Sequence, residues 1–499
     1  MKTVVLKILI LGGTNFLGPH LVEELQKNGH EITLFNRGIQ NPNIFPNIEH
    51  LHGDRDGNIN ALRDRCWDAI IDTSGHIPRI VEQSAKLLAE STNHYTFIST
   101  IGVYKDFHKL GIDETYPLAE LEDVQNEVIT EKTYGALKGL CEAVIHRYFL
   151  KNSLIIRPGL IVGPQDPTDR FTYWPIRISK GGEVLAPAHQ IVQFIDVRDL
   201  AKWIVQMVEQ QTIGIYNASG TPISFDHFLN ECQRVTHSTA HINWVNDDFL
   251  IKEKVQDWSE LPLWLSKERQ MPGFMQINSQ KAINTGLTFR SLSETISSIL
   301  QWNATRESVE LKAGLDPIKE NNLLMDWKKH SSADNQENLI FHFAPAKSSQ
   351  RILLHQWFEQ THIKEWMHGV GLQNTLNGLE EFFQDSSNTT YWIAYDKDVP
   401  FAFLITSPKG EDAITLDLFI CNLNYLGKGI AVSMIREFLI SQFSNVKRVL
   451  IDPEATNNRA IHVYQKVGFK IIGEFIASWH PVTHYQMELY MKELLETKK

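Results

Sequence analysis

Tyr134 and Lys138 stand four apart in Thr133-Tyr134-Gly135-Ala136-Leu137-Lys138, so on a helix they share one face. An ammonium beside a phenol favours the phenolate. The pair is therefore expected to lower the Tyr134 pKa toward a range suited to proton exchange with a substrate hydroxyl or carbonyl. Upstream, Ser99-Thr100 closes an apolar run with hydroxyls able to hold a substrate oxygen. A Tyr and a Lys one turn apart also occur on ordinary amphipathic helices, so the combination carries the weight.

Chemistry of this kind needs a bound partner. Gly12-Gly13-Thr14-Asn15-Phe16-Leu17-Gly18 lies between the apolar run Val5–Leu11 and a helical pattern over 19–27. Glycines there permit a tight turn and close backbone approach to a pyrophosphate, which the helix N-terminus then attracts. A plain structural turn is the other reading. Asn15 stands where glycine is usual and is expected to take the positive φ of the turn. The second strand ends in Phe35-Asn36-Arg37-Gly38, with Arg37 where an acidic residue would hold the 2′-hydroxyl of NAD, so NADP is preferred to NAD. Asp54, in Gly53-Asp54-Arg55-Asp56, sits either at an adenine contact or in a solvated turn.

The elements that must position these residues alternate. Short apolar runs over 32–35, 69–72, 96–99 and 154–157 interleave with helical patterns, which implies right-handed crossovers and a parallel, doubly wound sheet. The polar stretch 330–338 has no periodicity and is read as a linker, dividing the chain into 1–329 and 339–499. In the second part, Leu426-Gly427-Lys428-Gly429-Ile430-Ala431 follows a strand-like run over 414–421 and precedes a helical pattern over 432–440. Small residues again let backbone N–H groups converge on a diphosphate. Gly468 suits the cap of a helix carrying Ala460, Val463 and Tyr464.

With these residues in place, the first part resembles the extended short-chain dehydrogenase/reductases of the NAD(P)-dependent epimerase/dehydratase type. The loop GGTxFLG, the Ser99-Thr100 strand end and the Tyr134-x-x-x-Lys138 pair carry the likeness, with Arg157–Pro164 and Phe194–Leu200. Asn15 marks an atypical subgroup. The resemblance implies a Rossmann-type domain, a catalytic set of Thr100, Tyr134 and Lys138, and a nicotinamide-ribose contact from Lys138. The second part is similar to the GCN5-related N-acetyltransferases, through Asn457-x-x-Ala460-x-x-x-Tyr464-x-Lys466-x-Gly468-Phe469. Leu354-His355-Gln356-Trp357, His362–Trp366, Tyr425–Gly429 and Asp452-Pro453 narrow this to a likeness to aminoglycoside 6′-N-acetyltransferases.

That likeness implies acetyl-CoA at Leu426–Ala431, a pantetheine contact from Asn457 and proton donation to sulfur by Tyr464. It gives Asp417 the amine and its proton, Asp452 the cationic substrate, and antibiotic resistance as an outcome. Trp366 is read as a cleft wall beside the substrate, and Trp357 as core or cleft wall. The acids Glu380, Glu381, Asp385, Asp396, Asp398, Glu411, Asp412 and Asp417 would attract a polycationic amino sugar, although solvated loops give the same pattern.

The whole is expected to be a bifunctional α/β enzyme working on an amino sugar or a sugar nucleotide. The alternative is a biosynthetic amino-sugar acetyltransferase whose first half binds NADP without turnover. A net charge of −11 argues against nucleic acid as the main partner. Four scattered cysteines without a CxxC pair exclude a zinc ribbon, leave no metal site in view and fit a reducing cytoplasm. No apolar run reaches ~20 residues, so no membrane span is expected, and the glycines after Leu11 argue against a signal peptide. A homodimer is left open.

Overall fold

The computed structural model describes residues 4–188, 190–306, 310–334, 341–396, 398–477 and 480–496. The chain forms two compact units, Met1–Ser331 and Ser332–Lys499. Of the stretch read as a linker, 330–334 continues the helix Pro317–Asp334, and 335–338 lie outside the described residues.

In the first unit, β1 (Lys7–Leu11), α1 (Leu17–Lys27), β2 (Glu31–Asn36), β3 (Glu49–His52), β4 (Ala69–Asp72), α2 (Pro78–Leu88) and β5 (Tyr95–Ile98) lead to α3 (Tyr134–Tyr148). Then come β6 (Ser153–Pro158), α4 (Val197–Glu209) and β7 (Gly214–Ala218). The seven strands are parallel in the order β7-β6-β5-β4-β1-β2-β3. Strands buried on both faces must be apolar throughout, as Ile8–Leu11 are. One face packs Leu21, Val22 and Leu25 of α1 with Trp203 and Ile204 of α4. The other packs Val81, Ala85 and Leu88 of α2 with Val144 and Ile145 of α3. Strand order reverses between β1 and β4, which opens a crevice at their carboxyl ends. The loop after β1 and Gly75-His76 after β4 both stand at that reversal.

The second unit is a mixed sheet. Its elements are β8 (Phe341–Pro345), α5 (Gly369–Phe383), β9 (Thr390–Asp396), β10 (Val399–Pro408), β11 (Ala413–Ile420), α6 (Ala431–Phe443), β12 (Arg448–Ile451), α7 (Asn458–Val467), β13 (Lys470–Ala477) and β14 (His480–Tyr490). They align as β8-β9-β10-β11-β12-β14-β13. Only β11 and β12 pair in parallel, and only at Ala413↔Arg448, Ile414↔Val449 and Thr415↔Leu450. Beyond Thr415 the two strands share no ladder, and a gap opens there in the sheet.

Within the first unit, a charge pair fully inside the protein joins β4 to the turn after β3. Arg55 donates to both carboxylate oxygens of Asp72, at 2.7 and 2.9 Å, and Tyr95 donates to the same carboxylate. Burial alone would raise the Asp72 carboxyl; the Arg55 charge and its hydrogen bonds outweigh that and hold it below the ordinary carboxylate range. Arg55→Leu strands this charge and is expected to cost roughly 3–5 kcal/mol. Urea unfolding checks this, and adding Asp72→Leu should recover much of the loss.

Candidate functional site

The loop after β1 follows from its glycines. Gly12 and Gly13 take φ of 104° and 87°, and a Cβ on Gly18 would lie 2.4 Å from the carbonyl carbon of Gly13. Only glycine allows α1 to start that close to the strand. The positive-φ residue without glycine is Phe16 (42°), not Asn15, which is exposed and accepts from the Gly18 N–H through its own carbonyl. The expected role of Asn15 in the turn is therefore corrected: the strained position is one residue later. The start of α1 has no side-chain cap and no acid in its first turn. Thr14 and Leu17 are buried beneath it. N–H groups left this way fit a diphosphate.

Arg37 is exposed at the end of β2 and forms no ion pair among the described residues. Asp54 is spent in a local turn, its Oδ1 accepting from the Asp56 N–H at 3.0 Å while its backbone pairs with Asn58. Of the two sequence readings, the turn is the one its side chain satisfies.

Thr100, Tyr134 and Lys138 come together at the carboxyl ends of β4 and β5, but not as expected. The Lys138 ammonium, 2 % exposed, donates to the carbonyls of Gly75 and Ile98, each at 2.7 Å, and sits 4.2 Å from the Phe97 ring centre. Burial lowers it to about 8. Tyr134 is raised by burial, with a hydrogen bond to Thr100 opposing the rise. The expected fall in the Tyr134 pKa is thus reversed, because the phenol has lost water. Ser99 does not face the site: its hydroxyl donates to Glu142 at 2.5 Å, and Glu142 is paired with buried Arg157. That leaves Thr100 as the hydroxyl near Tyr134.

One group here escaped the sequence reading. The His76 ring packs 6.3 Å from that of Tyr134, and loss of water together with the Lys138 charge pushes it down to about 4. Arg55 and Asp72 were likewise missed. A lone acid ending the strand Ala-Ile-Ile-Asp was the available signal, since an acid in a doubly covered strand needs a buried cation.

In the second unit Asp417, Asp452, Asn457, Tyr464 and Trp366 line one cleft of about 350 Å³. The parting of β11 and β12 makes it: Asp417 lies two residues past the last paired position on β11, and Asp452 just past the end of β12. Asp417 is exposed on the cleft face, although protein packs densely around it. That loss of water and the Asp452 charge push its carboxyl up to about 7. Asp452 is also raised by burial, less so because His484 lies near, its Nδ1 2.9 Å from the Asp452 carbonyl oxygen. Tyr464 is buried beside both acids and is raised far enough to stay a neutral phenol.

Asn457 caps α7, its Oδ1 accepting from the Ala460 N–H at 3.0 Å, so only its amide nitrogen remains for a ligand. Trp366 is half-buried at the cleft wall, whereas Trp357 is in the core. The loop Leu426–Ile430 lies outside the cleft lining and leads into α6 at Ala431, a helix start with no side-chain cap and no acid in its first turn. Gly427 and Gly429 take φ of 80° and 73°, and a Cβ on Gly429 would meet nothing within 4 Å. Lys428 is exposed above the Tyr425 ring. The loop therefore offers unblocked N–H groups to a phosphate.

The acidic stretch does not converge on the cleft. Glu380 pairs with Arg351, Asp412 with Lys447, and Asp396 accepts from Tyr425. Of that stretch, Asp417 alone is among the lining residues. No helix among the described residues is long and apolar enough to cross a membrane, and those residues hold no group of three potential metal ligands.

A profile of the NAD dependent epimerase/dehydratase family matches residues 8–219, and one of the GNAT acetyltransferase domain matches 349–476. The chain is 52 % identical to an aminoglycoside N(6′)-acetyltransferase of known structure from Legionella pneumophila, over 33 % of this chain and 99 % of that one, with a TM-score of 0.31. It is 26 % identical over 136 residues to aminoglycoside N(6′)-acetyltransferase type 1 of Klebsiella pneumoniae, covering 24 % of this chain and 68 % of the relative. It is 28 % identical over 249 residues to the chloroplast stem-loop binding protein of 41 kDa b of Arabidopsis thaliana, covering 46 % of this chain. The match spans 62 % of the length of that plant protein. The chain thus carries a region matched by the NAD dependent epimerase/dehydratase profile, followed by a GNAT acetyltransferase domain that resembles aminoglycoside 6′-N-acetyltransferases.

Proposed function

We propose that the second domain, 339–499, transfers the acetyl group of acetyl-CoA to an amine of an amino sugar or aminoglycoside, of the 6′-amine type. The observation that carries this is the pair of carboxyls, Asp417 and Asp452, facing one cleft and both held above the ordinary carboxylate range. Such a pair is relieved by an ammonium, which restores the charge that burial and repulsion disfavour. Asp452 anchors the cation. Asp417, raised toward the working pH, accepts the amine proton better than a carboxylate of ordinary pKa would. Tyr464, kept neutral, donates a proton to the departing sulfur. The free N–H groups at the start of α6 and the amide of Asn457 hold the coenzyme, which supplies a reactive thioester. Acetylation removes one positive charge from the substrate, the chemistry expected of aminoglycoside resistance.

The first domain, 1–329, binds NAD(P) on Gly12–Gly18, with Arg37 favouring the 2′-phosphate of NADP. Its enzyme reading gives Thr100, Tyr134 and Lys138 the redox step on a sugar or sugar nucleotide. A second reading, a module that binds the coenzyme without turnover, is favoured by the commitment of Lys138 to two carbonyls. In either case the partners are small molecules in the cytoplasm.

Steady-state acetylation of kanamycin-type amines tests the first proposal. Asp417→Asn is expected to lower kcat/KM by roughly 10²–10⁴-fold. In the unaltered protein the rate should rise with pH as Asp417 ionises around 7. An unchanged rate in the variant removes Asp417 from the reaction. The same raised carboxyl stabilises the folded state below its unfolded pKa, and that contribution is lost as pH rises through about 7. Asp417→Asn should therefore raise Tm more at pH 8 than at pH 5, by calorimetry. For the first domain, Tyr134→Phe is expected to keep NADPH binding and to reduce turnover of keto-sugar nucleotides by at least about 10²-fold. Unchanged turnover would point to the module.

A further inference from the structure

The segment 119–133 runs over the surface between Val103 and the start of α3, and its end is fastened to the turn that presents Tyr134. The Tyr134 N–H donates to the Thr130 carbonyl at 2.9 Å, and the Thr130 N–H donates to the Thr133 hydroxyl at 2.9 Å. Any shift of this segment is therefore passed directly to Tyr134. At its other end the Ala119 N–H donates to the Val103 carbonyl at 2.8 Å, and between the two ends it is tied by charge. Arg79, in the first turn of α2, donates through Nε and Nη2 to both oxygens of Glu127, at 2.9 and 3.0 Å. The same guanidinium donates to both oxygens of Asp56, at 2.7 and 3.3 Å. Asp56 belongs to the turn after β3, flanking the crevice at the carboxyl ends of β1 and β4. A second charged tie, Glu131 to Arg269, continues to Asp257. Meanwhile Val124, Val128 and Ile129 remain 70 %, 65 % and 49 % exposed, apolar side chains with no core of their own.

We propose that Arg79 is a positioning residue that clasps the strap 119–133 against the Asp56 turn, so that nicotinamide coenzyme held in the crevice and the placement of Tyr134 are coupled through one guanidinium. The proposal rests on the coenzyme reading of the first domain. The geometry suits the role. A bidentate guanidinium is satisfied only when both carboxylates stand at fixed angles to it, so it sets the separation of the two loops. The ties are half-exposed, so each is weak and screened by salt, which makes the strap releasable rather than welded.

The test is stopped-flow dissociation of NADPH, with NADH alongside, from the full-length chain and from Arg79→Gln, Glu127→Gln and the double variant. Each single variant is expected to speed dissociation by roughly threefold or more, a typical yield for such pairs. The double variant should be no faster than the singles, and Arg79→Lys should recover part of the loss. A merely structural role would give additive effects and a lowered Tm; here Tm and the acetylation rate should stay as in the unaltered protein. Dissociation as slow in every variant as in the unaltered protein, or fully additive accelerations, would overturn the clasp. Should neither coenzyme bind, the coenzyme reading fails by itself, and trypsin decides the strap. Cleavage after exposed Lys132 should be several-fold faster in Glu127→Gln if Arg79 holds the segment, and unchanged if it does not.

Discussion

Two parallel strands, Ala413–Ile420 and Arg448–Ile451, stay paired for only three positions, and the cleft of the second domain depends on their parting. A sheet that remained zipped would satisfy its backbone internally and leave no space for a substrate. By separating after Thr415, the strands leave Asp417 and Asp452 lining one cleft of about 350 Å³. The protein pays for this by holding two like charges together, and a cation removes that cost when it binds. The raised carboxyls, the neutral Tyr464 phenol and the half-buried Trp366 all meet at that opening.

The first domain rests on a different device. Its parallel sheet reverses order between β1 and β4, and the residues at that reversal are fixed by buried charge. Arg55 with Asp72 ties the turn after β3 to β4; Lys138 binds the carbonyls after β4 and β5; Glu142 with Arg157 holds Ser99 away from the site. Low dielectric makes each of these expensive to disturb. The carboxyl ends of these strands are thus fixed by buried charge, while the segment 119–133 is tied to the Asp56 turn by ion pairs that salt screens.

Much of this was legible in the chain. Alternating apolar runs and helical patterns gave the parallel sheet, and both glycine loops were placed at uncapped helix starts because only small residues suit such turns. Element ends moved by a few residues, as with the helix now starting at Leu17, since frayed termini leave no mark in periodicity. What spacing could not show was direction. Tyr134 and Lys138 share a helical face, yet the long lysine chain reaches past the phenol to two carbonyls, and burial raises the phenol. Asn15 and Phe16 could not be separated as the strained residue without φ angles. The acidic stretch read as a field around the substrate, but Glu380 and Asp412 pair with cations distant in sequence and Asp417 alone of the stretch is among the lining residues. Gly468, by contrast, caps its helix at φ 125° as its position suggested.

The claim at the centre is that a cation entering the cleft displaces a proton held between Asp417 and Asp452. Calorimetric titration of a kanamycin-type amine near pH 6, in buffers of different ionisation enthalpy, measures this directly. At that pH the amine is fully protonated and takes up nothing, so the account predicts net proton release on binding that disappears in Asp417→Asn. Binding without proton release, or release that survives that substitution, would contradict it.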